Sequence, residues 1–183
     1  MVTGGEKADG PLTRRRLSEH FLRVFHEDHR ALRDELLDLV EALRARDGAA
    51  VRSRLDRIAA DTGPHFRYEE EALYPALVEI LGPEPMEDLF GDHDRFIGVA
   101  GSLAALAARS VLSDEDAAYG IRLARSVLPH VSRCGGLAIL VEALSNETVR
   151  AVLGARAYAR ADGLDLFDWA MRVRRRPRVA TAV

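Results

Sequence analysis

The sequence predicts an all-α fold on three observations. Long segments rich in Ala, Leu, Arg and Glu carry apolar residues at intervals of three and four. Runs that alternate apolar and polar residues are absent. An internal repeat divides the helical region into two halves of two helices each, which is the composition of a four-helix bundle.

The elements follow in chain order. A first helix starts near Thr13, sets Phe25, His29, Leu32, Leu36 and Val40 along one stripe, and stops at Asp47-Gly48. A second helical region runs from about Ala49 to Leu81; Thr62-Gly63-Pro64 interrupts it and Gly82-Pro83 ends it, with Pro64 suited to the first turn of its second half. A third helix begins near Met86 and aligns Phe90, His93, Ile97, Ala100 and Leu103. It yields to the Ser113-Asp114-Glu115-Asp116 start signal of a fourth, which Pro129 should kink. Beyond Ser145-Asn146-Glu147 a fifth, shorter helix extends to about Arg160, and the segment from Leu164 to Val173 forms a last amphipathic turn or two around Trp169.

Composition bounds the function. Hydrophobic residues make up 48% and charged residues 30%, the balance of a chain that folds in water rather than one that stays disordered. With 183 residues, one domain with a substantial core is expected. The net charge of −3 gives no overall basic field, so the arginines over residues 14–16 and 172–178 read as solvated surface and no nucleic-acid partner is expected. Cys134 is the only cysteine, which rules out an internal disulfide and fits a reducing compartment. Residues 1–10 lack a signal-peptide core and no apolar run reaches the length of a membrane span. The expectation is therefore a cytoplasmic protein with no membrane partner.

The repeat carries the chemistry. Asp28-His29 opens one half and Asp92-His93 opens the other; Pro64-His65 follows His29 by 36 positions, and Pro129-His130 follows His93 by 37. Each helix thus holds one histidine. His29 and His93 share the apolar stripes that a bundle helix turns inward. Four imidazoles converging in a core are costly unless satisfied, and a metal satisfies them while keeping them neutral. His65 and Glu69 lie one turn apart on one face, a usable ligand pair. Glu70 reads as the acceptor for a ligating imidazole, Glu71 and His20 as surface, and His26 as partly exposed or at the metal edge. Tyr68 and Tyr74 are candidates for neighbours of the site, although helical tyrosines more often turn their hydroxyls to solvent.

These residues resemble a known family. His29, then His65-x-x-x-Glu69-Glu70 followed by Leu73-Tyr74-Pro75, then His93, then His130 is similar to the hemerythrin-like, or HHE cation-binding, domains. The resemblance covers roughly residues 17–144. It implies an up-down-up-down bundle around a non-haem diiron centre held by histidines and bridged by carboxylates, with His29, His65, Glu69, His93 and His130 on the family's ligand positions. It also implies dioxygen, peroxide or nitric oxide as partners. The resulting organisation is a disordered tail over 1–12, the bundle over 13–160, and a C-terminal helical extension with a basic tail over 161–183.

The last helix departs from the pattern. Where the family repeats His-x-x-x-Glu-Glu, His130 is followed by Cys134-Gly135-Gly136. Three readings follow. Cys134, at the same offset from His130 as Glu69 from His65, is itself a metal ligand. Or the site holds one metal tightly, or two unequally, with Cys134 a small buried hydrophobe. Or the missing carboxylate makes room for a small organic substrate of an iron-dependent oxidative enzyme. The glycine pair, disfavoured in a helix, would then be a packing point, a break or a pocket floor. A module that has lost its metal and works by protein contact is the remaining class. Pro129 and the Trp169 segment are candidates for a homodimer interface.

Overall fold

Helix α1 (Pro11–Arg44) turns into α2 (Gly48–Tyr68) through Arg46, whose φ of 55° reverses the chain, and Asp47, whose side chain accepts from the Ala49 and Ala50 N–H groups. Asp47-Gly48, read from the sequence as a stop, is therefore a start, because a carboxylate at the N-cap satisfies amides that nothing else can reach. The computed structural model describes residues 11–175. Helix α1 begins at Pro11 rather than near Thr13. Of the tail expected over residues 1–12, Pro11 and Leu12 belong to α1 instead; residues 1–10, and the basic residues after Arg175, lie outside the described residues.

Helix α2 runs unbroken through Thr62-Gly63-Pro64, where the sequence suggested an interruption. The three residues serve packing instead. A Cβ on Gly63 would lie 2.3 Å from the Leu164 carbonyl oxygen, so the glycine is what lets the segment before the last helix cross α2. The Thr62 hydroxyl donates to the Ile58 carbonyl at 2.6 Å, within the turn where Pro64 supplies no N–H.

The true irregularity comes one turn later. Residues Glu69–Leu73 form a π-turn in which the Tyr74 N–H bonds the Glu69 carbonyl five residues back, and α3 (Tyr74–Leu81) continues beyond it. Helix α4 (Pro83–Ala107) follows, then α5 (Asp114–Ser126), opened by a capping box between Ser113 and Asp116 as its start signal predicts. Pro129 divides the fourth bundle helix: α5 ends at Ser126 and α6 (Leu128–Gly135) starts two residues later, with the break at Val127. A 3-10 segment (Gly136–Ala143), α7 (Asn146–Asp162) and α8 (Leu166–Arg172) complete the described chain. Among the described residues there is no strand, and no helix is long and apolar enough to cross a membrane.

Helix α1 packs against α2 and against α5–α6, while α4 packs against α2 and α5. His29 lies 15 residues before the end of α1 and His65 lies 17 after the start of α2, so at equal rise per residue the antiparallel pair brings both to one level. Helices α7 and α8 cover α2 from outside. Trp169, a candidate for an interface, is instead buried within the chain at 1% exposure. Two hydrophobic clusters result. One holds Leu36, Phe66, Phe96 and Trp169; the other holds Phe21, Phe25, Tyr74, Phe90 and Cys134. Phe96, rather than the neighbouring Ile97 of the predicted stripe, makes the fully buried contact from α4, stacking edge-on to Phe66.

Candidate metal centre

The described residues bring all six sequence candidates together. His29 comes from α1, His65 from α2, Glu69 from the π-turn, His93 from α4, and His130 and Cys134 from α6; all six are buried, and Glu69, His93 and Cys134 have no exposed surface. Glu69 sits at the middle. Its Oε1 lies 3.2 Å from His65 Nε2 and 3.8 Å from His29 Nε2, and accepts from the Cys134 thiol at 2.9 Å. Its Oε2 lies 3.1 Å from His93 Nε2 and accepts from the Tyr74 hydroxyl at 3.2 Å.

The donor atoms fall into three overlapping groups, each with its atoms within 4.8 Å of one another: His29, His65 and Glu69; Glu69, His93 and His130; and His29, His130 and Cys134. Glu69 belongs to two of them. One carboxylate oxygen faces each histidine pair, an arrangement that suits a bridge between two cations.

The outer bonds fix which nitrogen of each ring points inward. His29 Nδ1–H donates to the Phe25 carbonyl at 2.9 Å, and His93 Nδ1–H donates to Glu70 Oε1 at 2.8 Å. Glu70 is thus the acceptor that the sequence suggested. His65 Nδ1 faces Asp28 Oδ2 at 3.6 Å and His130 Nδ1 faces Asp92 Oδ2 at 3.9 Å. The two Asp-His pairs that marked the repeat therefore work across helices. Each aspartate serves the histidine of the next helix, while the histidine beside it turns to the centre. Asp28 is gripped in turn by Arg156 and Asp92 by Arg133.

Charge is distributed unevenly over the metal-free site. Burial works to raise the Glu69 carboxyl, but His65 and His93 beside it hold it well below the usual carboxylate range. Burial likewise works to lower His65, yet Glu69 and Asp28 hold it up at about 9; His93 is raised for the same kind of reason by Glu69 and Glu70. His29 is pushed down to about 4 by burial and then by the charge of His65, and His130 goes well below its ordinary range through burial and His93. Each half thus pairs one imidazole that takes a proton readily with one that refuses it. Burial, then the charge of Glu69, pushes the Cys134 thiol well above its usual value, so in this state it is a donor rather than a thiolate.

Whether these residues fit a cation can be judged from atoms that lack partners. His29 Nε2, His65 Nε2 and both ring nitrogens of His130 are buried without a hydrogen bond. Unsatisfied polar atoms in a core are rare and costly, and four imidazole nitrogens around one carboxylate suit a transition metal. They fit.

Both tyrosines named from the sequence as candidate neighbours lie at the site. Tyr74 reaches the centre because the π-turn stacks it over Glu69; its hydroxyl lies 3.1 Å from His93 Nε2 and 3.5 Å from Cys134 Sγ, rather than in solvent. Tyr68 is buried beside His65, its hydroxyl 3.4 Å from Nδ1. Asp28 and Asp92 were visible as a repeated dipeptide, but nothing local shows that they face histidines of other helices. His20, His26 and Glu71 are exposed, and His26 stands away from the centre.

The Gly135-Gly136 pair is not a packing point. A Cβ on either would meet nothing within 4 Å, and the pair marks the change from α6 to the 3-10 segment. Among the described residues a cavity of about 490 Å³ lies between α2, α4 and α8 around Leu55, Ala100, Ala104 and Phe167, away from the site. Another, of about 160 Å³, opens over Glu70 and Arg174. A third, about 30 Å³, touches His65 and is lined by Asp28, Asp61, Thr62 and Arg160. None of the three is lined by Cys134, Gly135, Gly136 or Leu137.

Comparisons with curated proteins and with solved structures return no match to the chain. The hemerythrin HHE cation binding domain matches residues 20–133, ending one residue before Cys134. That span takes in His29, His65, Glu69, His93 and His130, more than half of the chain. The chain belongs to the hemerythrin HHE cation-binding domain family.

Proposed function

We propose that this protein holds non-haem iron between His29, His65, Glu69, His93, His130 and Cys134 and there binds or processes dioxygen, peroxide or nitric oxide. The observation that carries the reading is Glu69: one fully buried carboxylate shared by two groups of histidine donors, in which the Nε2 atoms of His29, His65 and His130 have no hydrogen-bond partner. Iron bound there would supply the open coordination and redox chemistry that small oxygen and nitrogen species require.

The chain's own residues define what that iron could meet. The Phe25 carbonyl and Glu70 hold His29 and His93 by hydrogen bonds, while Asp28 and Asp92 face the outer nitrogens of His65 and His130 at 3.6 and 3.9 Å. Cys134 and Tyr74 hold protons against the two oxygens of Glu69, within reach of a small anion formed at the centre. The apolar clusters on either side exclude bulk water. A small organic substrate, the other reading, draws no support from the cavity of about 490 Å³, which includes none of the six residues. A single buried cysteine kept as a thiol fits a reducing, cytoplasmic setting.

The test is iron per chain after anaerobic ferrous loading, for wild type beside Glu69→Ala and Cys134→Ala, with optical spectra recorded under dioxygen, peroxide and nitric oxide. Bound iron whose spectrum responds to at least one of these, lost in Glu69→Ala, is the expected result. A wild-type chain that takes up no iron, or a Glu69→Ala chain that keeps it all, overturns the proposal.

A further inference from the structure

Glu70 is the outer carboxylate of His93, and it is 2% exposed, so its charge must be answered from within the protein. The answer comes from far along the chain. Arg174 Nε donates to Glu70 Oε2 at 2.9 Å and its terminal nitrogen to Oε1 at 2.8 Å, the forked geometry that fixes a carboxylate in plane. The guanidinium is held in turn: it lies over the Trp169 ring at 5.4 Å, and its other nitrogen donates to Asp94 at 2.6 Å. Trp169 is buried through its packing against α2, which fixes the place of the arginine.

We infer that the segment following α8, outside the matched family domain, is a working part of the metal site, with Arg174 a positioning residue for His93 acting through Glu70. By holding both Glu70 oxygens, Arg174 leaves Oε1 facing His93 Nδ1–H, and this turns Nε2 toward Glu69. A bond between arginine and glutamate that merely pinned the chain end would need neither a buried glutamate nor one already engaged with an imidazole. Helix α7 does the same in the other half, where Arg156 forks onto Asp28 opposite His65.

The inference rests on the metal reading, so its test has one arm that does not. In the metal-free protein, the Nδ1 proton of His93 is followed by nitrogen-resolved NMR in wild type, Arg174→Ala and Arg174→Lys, with Glu70→Ala as the control that removes the acceptor. In a second arm each protein is titrated anaerobically with cobalt(II). Arg174→Ala should speed exchange of that proton by about tenfold or more and weaken one of two cobalt steps by at least about tenfold, the low end for loss of an outer-shell partner, leaving the other step unchanged. Arg174→Lys should fall between, and it carries the test should the alanine variant fail to fold. A variant that melts earlier but keeps the wild-type proton signal and titration overturns the inference. Should wild type bind no cobalt and no iron, the functional proposal fails, and the proton signal alone still decides whether Arg174 positions His93.

Discussion

Cys134 donates its thiol proton to Glu69 Oε1 at 2.9 Å, so the residue that replaces the family's second carboxylate is bonded to the first. Sulfur stands at the same one-turn offset from His130 as Glu69 from His65, and it shares a donor group with His29 and His130. The two halves of the site therefore differ in charge while keeping the same geometry.

Restoring the carboxylate should reverse that difference. Cys134→Glu is expected to destabilise the metal-free chain by about 2 kcal/mol, from added volume and a second buried anion, and to tighten binding of a second metal. Chelator competition at two metal equivalents, read beside a thermal melt, checks both signs. Weaker second-metal binding in this variant would show that the Cys134 position does not face the centre.

Gly63 is set by a carbonyl rather than by a turn. Because the Leu164 oxygen lies where a Cβ would stand, Gly63→Ala must push α8 and its Trp169 off α2. A loss of about 3 kcal/mol, or roughly 10 °C in melting temperature, is expected. An unaltered melt would mean that the crossing segment yields freely.

The glycine pair after Cys134 has the opposite outlook. Gly135 has a helical φ of −54° and Gly136 one of −70°, and both have open space at the Cβ position. Gly135→Ala and Gly136→Ala should each stabilise the protein by about 0.5 to 1 kcal/mol through a less flexible unfolded chain, with metal content unchanged. Destabilisation by either, measured in urea, would contradict the open surroundings seen here.

Acid and base should each weaken the metal-free chain, for opposite reasons. His29 is depressed to about 4, so the unfolded chain binds more protons between about pH 6.5 and 4, and stability falls as pH drops through that window, by up to about 3 kcal/mol; His130 acts in the same direction. His65 is raised to about 9, so its contribution is full below about pH 6.5 and is lost as pH rises toward 9. Urea melts from pH 4 to 9 should therefore peak near 6.5, and His65→Gln should shrink the alkaline fall to the part that His93, raised by Glu69 and Glu70, still contributes. A flat profile would show that these imidazoles are not held as described.

Much of this was legible because it is written in short-range spacing. The four histidines, the His65-Glu69 pair and the Ser113 and Ser145 helix starts depend on neighbours three or four residues away. The π-turn was not, since five-residue bonding at Glu69–Leu73 has no local residue signature and arises where Glu69, Glu70 and Tyr74 all face inward. Pro64 misled for a related reason: packing against the α8 lead-in keeps α2 continuous where local propensity argues for a break. The grip of Arg174 on Glu70 joins residues 104 apart, and no periodicity records such a partner.

The four histidines and Glu69 lie between two hydrophobic clusters, one built around Phe66 and Trp169 and the other around Phe25, Tyr74 and Cys134. A polar layer in which His29, His65 and His130 keep unpartnered nitrogens is a poor mechanical joint: it transmits little cohesion from one half of the bundle to the other. Cation binding would rivet that joint, so that two loosely linked folding units melt as one, and loss of the cation would be felt first as lost cooperativity rather than as lost helix.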